Sequence, residues 1–294
     1  MLITTIRQHF PYYLQLIRFD RPIGTYLILW PTLWALWLAS NGMPDVKLLI
    51  IFSLGAFIMR SAGCAINDFA DRKIDGKVER TKNRPLATGK ISPKEALMVF
   101  AVLSFIAFIL VLQLNLATIL LSTVALLLAA TYPFMKRYHS LPQVHLGAAF
   151  AWSVPMAFTA VTGEMPPLVA WLLFVVTMLW TTAYDTMYGM VDREDDLKIG
   201  VKSTAILFAD KDKLIVGILQ ALSIILLIII GILASRGWIY FAGVAVAAGL
   251  SFYQQSLIKE REPKQCFTAF LNNNWFGMAV FIALALDYLF MSSP

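Results

Sequence analysis

Apolar residues occur in long runs separated by short polar segments. A run of roughly 17–25 apolar residues can span the hydrocarbon core of a membrane as an α-helix. Nine runs fit this description, at residues 22–40, 47–66, 95–113, 116–134, 143–161, 168–189, 213–234, 237–257 and 270–291. We therefore predict an all-α protein, a polytopic membrane bundle of nine transmembrane helices that forms a single domain over residues 1–294.

Basic residues fall almost entirely on one side of the predicted membrane. The segments before the first run and after the second, fourth, sixth and eighth, together with the adjoining Lys213, contain 21 Lys and Arg residues, whereas the other side has only Lys47 and Arg236. Cytoplasmic loops carry the excess of Lys and Arg. We expect a cytoplasmic N-terminus and, with nine crossings, a C-terminus on the opposite side.

Composition supports a membrane protein and excludes several other classes. The chain is 59% apolar and 14% charged, with a mean hydropathy of +0.70, whereas soluble domains are roughly 45–50% apolar and about 25% charged. The net charge of +6 lies in short loops, so we expect lipid and not nucleic acid as a partner. Two cysteines do not indicate a disulfide framework, and nothing in the sequence indicates an obligate protein partner.

An acidic cluster follows the second apolar run. At about 100° per residue, Asn67, Asp71 and Asp75 lie on one helix face and Asp68 borders it. One interpretation is a solvated helix end whose carboxylates are neutralised by nearby basic residues. The regular spacing favours a second interpretation, a site that binds a cation.

A similar arrangement follows the sixth run. Asp192 and Asp196 are four residues apart, so they share a helix face, and Asp185 joins that face deeper in the membrane. Both clusters begin loops on the predicted cytoplasmic side, where we expect them to face each other. Mg²⁺ is usually held by one or two carboxylates together with substrate phosphates.

Basic side chains next to both clusters suit a diphosphate, because arginine can bind phosphate through two hydrogen bonds. The candidates are Arg72, Arg80, Arg84 and Lys202, and we single out Arg80 and Arg84. The alternative is ordinary positive charge on the cytoplasmic side. Arg60 and Asp185 lie inside apolar runs, where each needs a partner.

These residues resemble a known family. Asn67-Asp68-x2-Asp71-x3-Asp75 followed by Asp192-x3-Asp196 is similar to the two aspartate motifs of the UbiA-type intramembrane aromatic prenyltransferases. Further runs resemble the members that prenylate 4-hydroxybenzoate for ubiquinone synthesis: Arg21-Pro-Ile-Gly24, Leu29-Trp-Pro-Thr-Leu-Trp-Ala-Leu36, Asn83-Arg-Pro-Leu86, Tyr132-Pro-Phe-Met-Lys-Arg137 and Asn272-Asn-Asn274.

The resemblance implies a bundle around a central cavity capped by cytoplasmic loops, in a bacterial inner membrane. It assigns Mg²⁺ to Asn67, Asp68, Asp71, Asp75, Asp192 and Asp196. It assigns the diphosphate of a polyprenyl donor to Arg80 and Arg84. It also makes Arg137 a candidate for the carboxylate of 4-hydroxybenzoate, although Arg137 could equally be a cytoplasmic anchor.

The implied reaction is ionisation of an allylic diphosphate and attack by the ring carbon ortho to the hydroxyl group. Metal and arginines would stabilise the charge of the departing oxygens, and aromatic faces attract the carbocation. Candidates for the aromatic lining are Trp30, Trp34, Phe150, Trp152, Phe158 and Tyr184. Whether Asp192 acts as a base or only as a metal ligand stays open here.

Two other functions remain as alternatives. A prenyltransferase with another aromatic acceptor would share every motif above. A cation-coupled transporter would place its acids near the middle of the membrane beside broken helices, whereas these acids cluster at one surface with basic loops.

Overall fold

Helices make up the regular secondary structure of this protein. The computed structural model describes the backbone of residues 2–291 and the side chains of residues 9–290. The α-helices are α1 (Leu2–Leu16), α2 (Ile23–Ala39), α3 (Val46–Asp71), α4 (Pro93–Val111), α5 (Leu116–Met135), α6 (Pro142–Ala151), α7 (Ser153–Thr162), α8 (Leu168–Val191), α9 (Arg193–Ile199), α10 (Thr204–Leu207), α11 (Asp212–Leu233), α12 (Trp238–Leu257) and α13 (Pro263–Met291). The prediction of an all-helical bundle is confirmed.

Most predicted runs coincide with one helix each. The run at 143–161 is divided into α6 and α7 at Trp152, because Pro155 has no amide hydrogen to donate to the carbonyl four residues earlier. Helix α13 begins at Pro263, seven residues before the predicted start at 270. The predicted runs therefore locate the helices well and their ends less well.

Seven helical segments within residues 2–291 are long and apolar enough to cross a membrane. Helix α2 is apolar but has 17 residues, and α12 is not among the seven. Helix α12 carries Gln254 near its end, where Gln220 of α11 donates to the Gln254 carboxamide oxygen over 2.7 Å. The fold thus supports a polytopic bundle, and the count of nine crossings stays a prediction.

Stacked aromatic rings join α2, α8 and α13 at the centre of the bundle. The Trp34 and Trp180 ring centroids are 5.5 Å apart, and Trp180 stacks on Phe276 at 5.2 Å. Both tryptophans are 1% exposed, and the Trp34 indole donates to the Gly277 carbonyl. Since lipid is as apolar as these rings, close packing and hydrogen bonds hold such helices together.

Helices α12 and α13 approach each other closely at Gly243. A Cβ atom on Gly243 would lie 2.1 Å from the Ala283 Cβ atom, so any larger residue would separate the two helices. Small residues at helix contacts allow such an approach in membranes.

Three consecutive asparagines join α13 to its neighbours. The Asn273 side chain accepts a hydrogen bond from the Trp180 indole at 2.8 Å, and Asn274 accepts one from the Trp30 indole at 3.0 Å. Asn272 accepts from Gln254 at 3.0 Å. These residues lie inside α13 and away from the cavity described below, so their role here is to connect helices.

Candidate active site

The helices surround a cavity of about 1030 Å³. Its walls come from α2 to α8 and from the first turns of α13. One end is apolar, with Ile51, Phe52, Leu114 and Met156 in the wall. The other end is formed by residues 74–85 and by α9, and it contains the charged residues.

The first acidic motif lies where α3 ends against this cavity. Asn67, Asp68, Asp71 and Asp75 all line it. Asp68, Asp71 and Asp75 are only 0%, 2% and 4% exposed. The three carboxylates are therefore not solvated, and carboxylates buried to this extent need cationic partners.

Arginines from two segments supply those partners. The Arg84 guanidinium donates to Asp68 over 3.0 Å and to both Asp75 oxygens over 3.0–3.1 Å. Arg18, between α1 and α2, donates to the same Asp68 oxygen over 2.6 Å. Burial alone lowers the pKa of Arg84, but the Asp68 and Asp75 carboxylates outweigh it and raise that pKa above its usual range. Arg84 therefore carries a fixed positive charge.

The second acidic motif meets the first loop through Arg80. The Arg80 Nε atom lies 3.0 Å from both carboxylate oxygens of Asp192, and its guanidinium lies 4.5 Å from the ring centroid of Tyr188. The Glu79 amide donates to the Asp195 carboxylate over 3.2 Å. The two loops, more than a hundred residues apart in the sequence, thus close the same end of the cavity.

Lys136 and Lys202 complete the charged end. Lys136 donates to the Asp71 carboxylate. The Lys202 amide donates to the Lys136 carbonyl over 3.2 Å, and its side chain donates to the Tyr138 carbonyl over 3.1 Å. Both lysines line the cavity together with Asp192 and Asp196.

Two basic residues that we expected at the site do not line the cavity. Arg72 folds back to donate to the Phe69 carbonyl over 2.6 Å and lies 4.2 Å from the Phe69 ring centroid. Arg137 donates to the Ala70 carbonyl and comes no closer than 3.9 Å to Asp71. Arg137 points away from the cavity because successive residues at the end of α5 point in different directions. Lys136, one residue earlier, takes the position that faces the cavity.

Arg60 and Asp185 both line the cavity, but they do not form the ion pair that we considered. Arg60 donates to the Cys64 sulfur and to the Ile17 carbonyl. Among residues 9–290, Asp185 has neither a hydrogen bond nor an ion pair. Gly24 makes room for Arg60, since a Cβ atom there would lie 2.5 Å from the Arg60 Nε atom.

Of the aromatic residues that we expected in the lining, Phe150 and Tyr184 are in the wall. Trp30, Trp34, Trp152 and Phe158 pack between helices instead. Additional aromatic lining comes from Tyr188, Phe267 and Phe270. Phe267 was missed because α13 begins before its predicted apolar run.

The acidic residues can be tested for their fit to Mg²⁺. No three His, Cys, Asp or Glu side chains in the described part of the chain converge closely enough to hold a metal ion, and Asp68, Asp71 and Asp75 are paired with arginine or lysine instead. However, the Asp68 Oδ2 and Asp71 Oδ1 atoms are buried without a hydrogen-bond partner. Oxygen atoms of this kind are the ligands that Mg²⁺ prefers.

The protonation of two further carboxylates points the same way. Burial, helped by nearby Asp71 and Asp68, raises the pKa of Asp75 to about 6 against the opposing effect of Arg84. Burial and Asp192 likewise raise the pKa of Asp196 to about 6. Crowded acids at this end of the cavity would gain from a divalent cation, so the residues fit the metal.

Comparison with known proteins identifies the family. The UbiA prenyltransferase family model matches residues 28–284. The chain belongs to the UbiA prenyltransferase family. Its two acidic motifs therefore lie in a fold that this family shares.

Relatives within the UbiA family match nearly the whole chain. A protein of Colwellia psychrerythraea named 4-hydroxybenzoate octaprenyltransferase is 60% identical over 272 residues, which cover 92% of this chain and 94% of the relative. A protein of the same name from Nitrosococcus oceani is 59% identical over 284 residues, which cover 97% and 99%.

Solved UbiA structures share the fold. The apo structure of a UbiA homologue from Aeropyrum pernix K1 has a TM-score of 0.78 at 28% identity, covering 90% of this chain and 96% of that one. A UbiA homologue from Archaeoglobus fulgidus, solved with GPP and Mg²⁺, has a TM-score of 0.69 at 19% identity, covering 92% and 99%. That second likeness concerns the fold alone.

Among the charged or polar residues that line the cavity, sequence reasoning did not single out Arg18, Lys136 or Asn83. Lys136 and Asn83 belong to runs that carried the resemblance, but neither was singled out. Arg18 had no sequence signal, because its contact with Asp68 joins residues 50 positions apart.

Proposed function

We propose that this protein transfers a polyprenyl group from an allylic polyprenyl diphosphate to the carbon ortho to the hydroxyl of 4-hydroxybenzoate, as a step of ubiquinone synthesis. The supporting observation is one cavity with an apolar end and a charged end where both acidic motifs meet Arg80 and Arg84. The names of the relatives from Colwellia and Nitrosococcus agree with it.

The charged end would bind the diphosphate. Arg80, Arg84, Lys136 and Lys202 present cationic donors there. The metal ligands in this proposal are Asn67, Asp68, Asp71, Asp75, Asp192 and Asp196. When bound, Mg²⁺ would supply Lewis-acid neutralisation of the diphosphate oxygens.

The reaction breaks the carbon–oxygen bond of the donor, and the diphosphate leaves with the electron pair. Cationic side chains at the charged end stabilise the negative charge that develops on the departing oxygens. Tyr184, Tyr188 and Phe270 line the neighbouring wall, where ring faces stabilise the allylic cation. The apolar end of the cavity holds the rest of the polyprenyl chain and excludes water.

A ring carbon of the acceptor then forms the new bond, and its proton must pass to a base. Both carboxylate oxygens of Asp192 accept hydrogen bonds from Arg80. This pairing favours a role for Asp192 in binding metal and diphosphate over a role as the base. Asp185 also lines the cavity and has no hydrogen-bond or ion-pair partner among residues 9–290. We therefore propose Asp185 as the base that accepts this proton. In this proposal Arg60 pairs with the acceptor carboxylate, because Arg60 lines the cavity and Arg137 does not.

We propose that all nine predicted runs cross a bacterial inner membrane, with α6 and α7 together forming one crossing. The N-terminus and the charged end of the cavity would lie on the cytoplasmic side. The alternation of basic loops supports this orientation. The acids lie where helices end, which favours diphosphate chemistry over the transporter alternative.

The decisive experiment is an assay in membranes containing the protein, with octaprenyl diphosphate as donor and a set of aromatic acceptors, with and without Mg²⁺. We expect prenylated 4-hydroxybenzoate and one equivalent of diphosphate, only when Mg²⁺ is present. Product with a naphthoate or homogentisate instead would overturn the acceptor. Absence of diphosphate release with every acceptor would overturn prenyl transfer.

A further inference from the structure

Helix α9 carries Asp195 and Asp196 but has little to hold it in place. It has only seven residues, Arg193–Ile199, and none of them is buried. The chain bends at Asp192 before α9 and reverses at Gly200, whose φ of 72° is in the left-handed region. Because α9 has no fully buried residue, its orientation depends largely on polar contacts.

One of those contacts reaches a carboxylate outside the cavity. Arg193 follows Asp192 directly and donates to the Asp212 carboxylate over 3.1 Å. Asp212 begins α11, is 0% exposed and does not line the cavity. The mechanism proposed above makes no use of it.

The same carboxylate holds a second element of the cavity wall. Arg261 donates to both Asp212 oxygens over 2.7–3.1 Å and to the Asp210 carbonyl over 2.9 Å. Arg261 has a φ of 56°, so the contact fixes a strained turn. Pro263 and Lys264, which follow this turn, line the cavity.

We propose that Asp212 is a positioning residue that, through Arg193, holds α9 in the orientation in which Asp192 and Asp196 face the first acidic motif, given the diphosphate site of the proposed function. A buried carboxylate between two arginines fixes both guanidinium groups, and Arg193 is adjacent to the acidic residue that it orients. Loss of Asp212 would leave the acids in place chemically but allow α9 to move.

A second buried aspartate provides a matched control. Asp287 is also 0% exposed, accepts hydrogen bonds from the Gly237 and Tyr240 amides, and lies 3.8 Å from Arg236. Arg236 follows the far end of α11, a helix of 22 residues and thus about 33 Å long. Asp287 is therefore a fully buried aspartate beside an arginine, like Asp212, but at the opposite end of the bundle.

The test compares Asp212→Asn with Asp287→Asn in the full chain. Three quantities are measured: the Mg²⁺ concentration for half-maximal prenyl transfer, the binding of Mn²⁺ by electron paramagnetic resonance with an unreactive thiolodiphosphate analogue, and thermal stability. We expect Asp212→Asn to raise the half-maximal Mg²⁺ concentration and weaken Mn²⁺ binding roughly tenfold, as the loss of residues that orient metal ligands does elsewhere. Asp287→Asn should reduce stability and leave both metal measurements unchanged.

Arg193→Gln gives the test independently if Asp212→Asn fails to fold, because Asp212 then keeps Arg261. It should reproduce the metal effect, and the double variant should be no worse than either single one, since the two residues act through one contact.

An Asp212→Asn protein that loses stability with normal metal binding would overturn the positioning role, as would an equal metal effect in Asp287→Asn. If the unaltered protein binds Mn²⁺ with the analogue but does not prenylate 4-hydroxybenzoate, the proposed function fails while the positioning role is still tested.

Discussion

The Asp71 carboxylate accepts a hydrogen bond from Lys136, whereas the Arg137 side chain donates to the Ala70 carbonyl of α3. The Arg137 side chain is 41% exposed, compared with 21% for Lys136. Neighbouring basic residues at the end of one helix thus have different surroundings, and only the first can act on a ligand in the cavity.

This difference predicts unequal effects of matched substitutions. Lys136→Gln should lower kcat for prenyl transfer by roughly 10²-fold, because it removes a cationic donor from the place where the leaving group gains charge. Arg137→Gln, which removes the same charge one residue away, should change kcat by less than about threefold, in line with the small effects of surface charges. Initial rates at saturating Mg²⁺ and donor would measure both.

A larger loss in Arg137→Gln than in Lys136→Gln would return the acceptor role to Arg137. Thermal stability of both variants is the control, since Lys136→Gln leaves the buried Asp71 with one partner fewer.

The types of the candidate site residues were predictable, but the directions of their side chains were not. Helical periodicity placed Asn67, Asp71 and Asp75 on one helix face, and all three line the cavity. The shared helix face is wrong for Asp75, because α3 ends at Asp71 and Asp75 begins a separate 3₁₀ turn. The same reasoning could not place Arg72, because the end of a helix offers a side chain both the cavity and a local carbonyl. Nor could it place Arg18, whose partner lies 50 residues away.

At the scale of elements, consecutive asparagines of α13 form hydrogen bonds with neighbouring helices. Asn273 is 1% exposed, and it pairs with the Trp180 indole, which is also 1% exposed. Asn274 pairs with Trp30, and both of these residues are only partly buried. Adjacent asparagines therefore make the same kind of bond at different depths.

Asn273→Ala should lower the free energy of unfolding by about 1–2 kcal/mol, because it leaves the buried Trp180 N–H without a partner. Asn274→Ala should cost less than about half of that, since Trp30 is closer to the surface. Tryptophan fluorescence during thermal unfolding in detergent would measure both. An equal cost in the two variants would show that depth does not determine the strength of these bonds.

The elements were predicted from long apolar runs, and two departures show where this reasoning fails. Helix α13 extends back to Pro263 because its first turns, which include Lys264 and Gln265, face the cavity and the loops and need not be apolar. The division between α6 and α7 was not foreseen, although Pro155 in the sequence provides its cause. Hydropathy indicates the part of a helix that lies in lipid, not its polar continuation.

At the scale of the whole molecule, all the strongly basic loops lie at the end of the bundle that contains the acidic motifs. Lys47 and Arg236 lie at the other end, where Lys47 donates to the Gln113 carbonyl and Arg236 lies 3.6 Å from the Tyr288 ring centroid. Charge asymmetry and site location therefore point to the same membrane face, which would give the site access to cytoplasmic substrates.

Cysteine labelling can test this orientation at two exposed positions. Met165, between α7 and α8, is 82% exposed, and the Glu260 side chain, between α12 and α13, is 77% exposed. In a background with Cys64 and Cys266 replaced by alanine, Met165→Cys should react with a membrane-impermeant maleimide in intact spheroplasts. Glu260→Cys should react only after permeabilisation, because the excess of Lys and Arg retains its loop in the cytoplasm.

Prenyl transfer by both variants would establish that each is folded. Labelling of Glu260→Cys but not of Met165→Cys in sealed cells would reverse the proposed orientation. Labelling of both would mean that the number of crossings between them is even instead of odd.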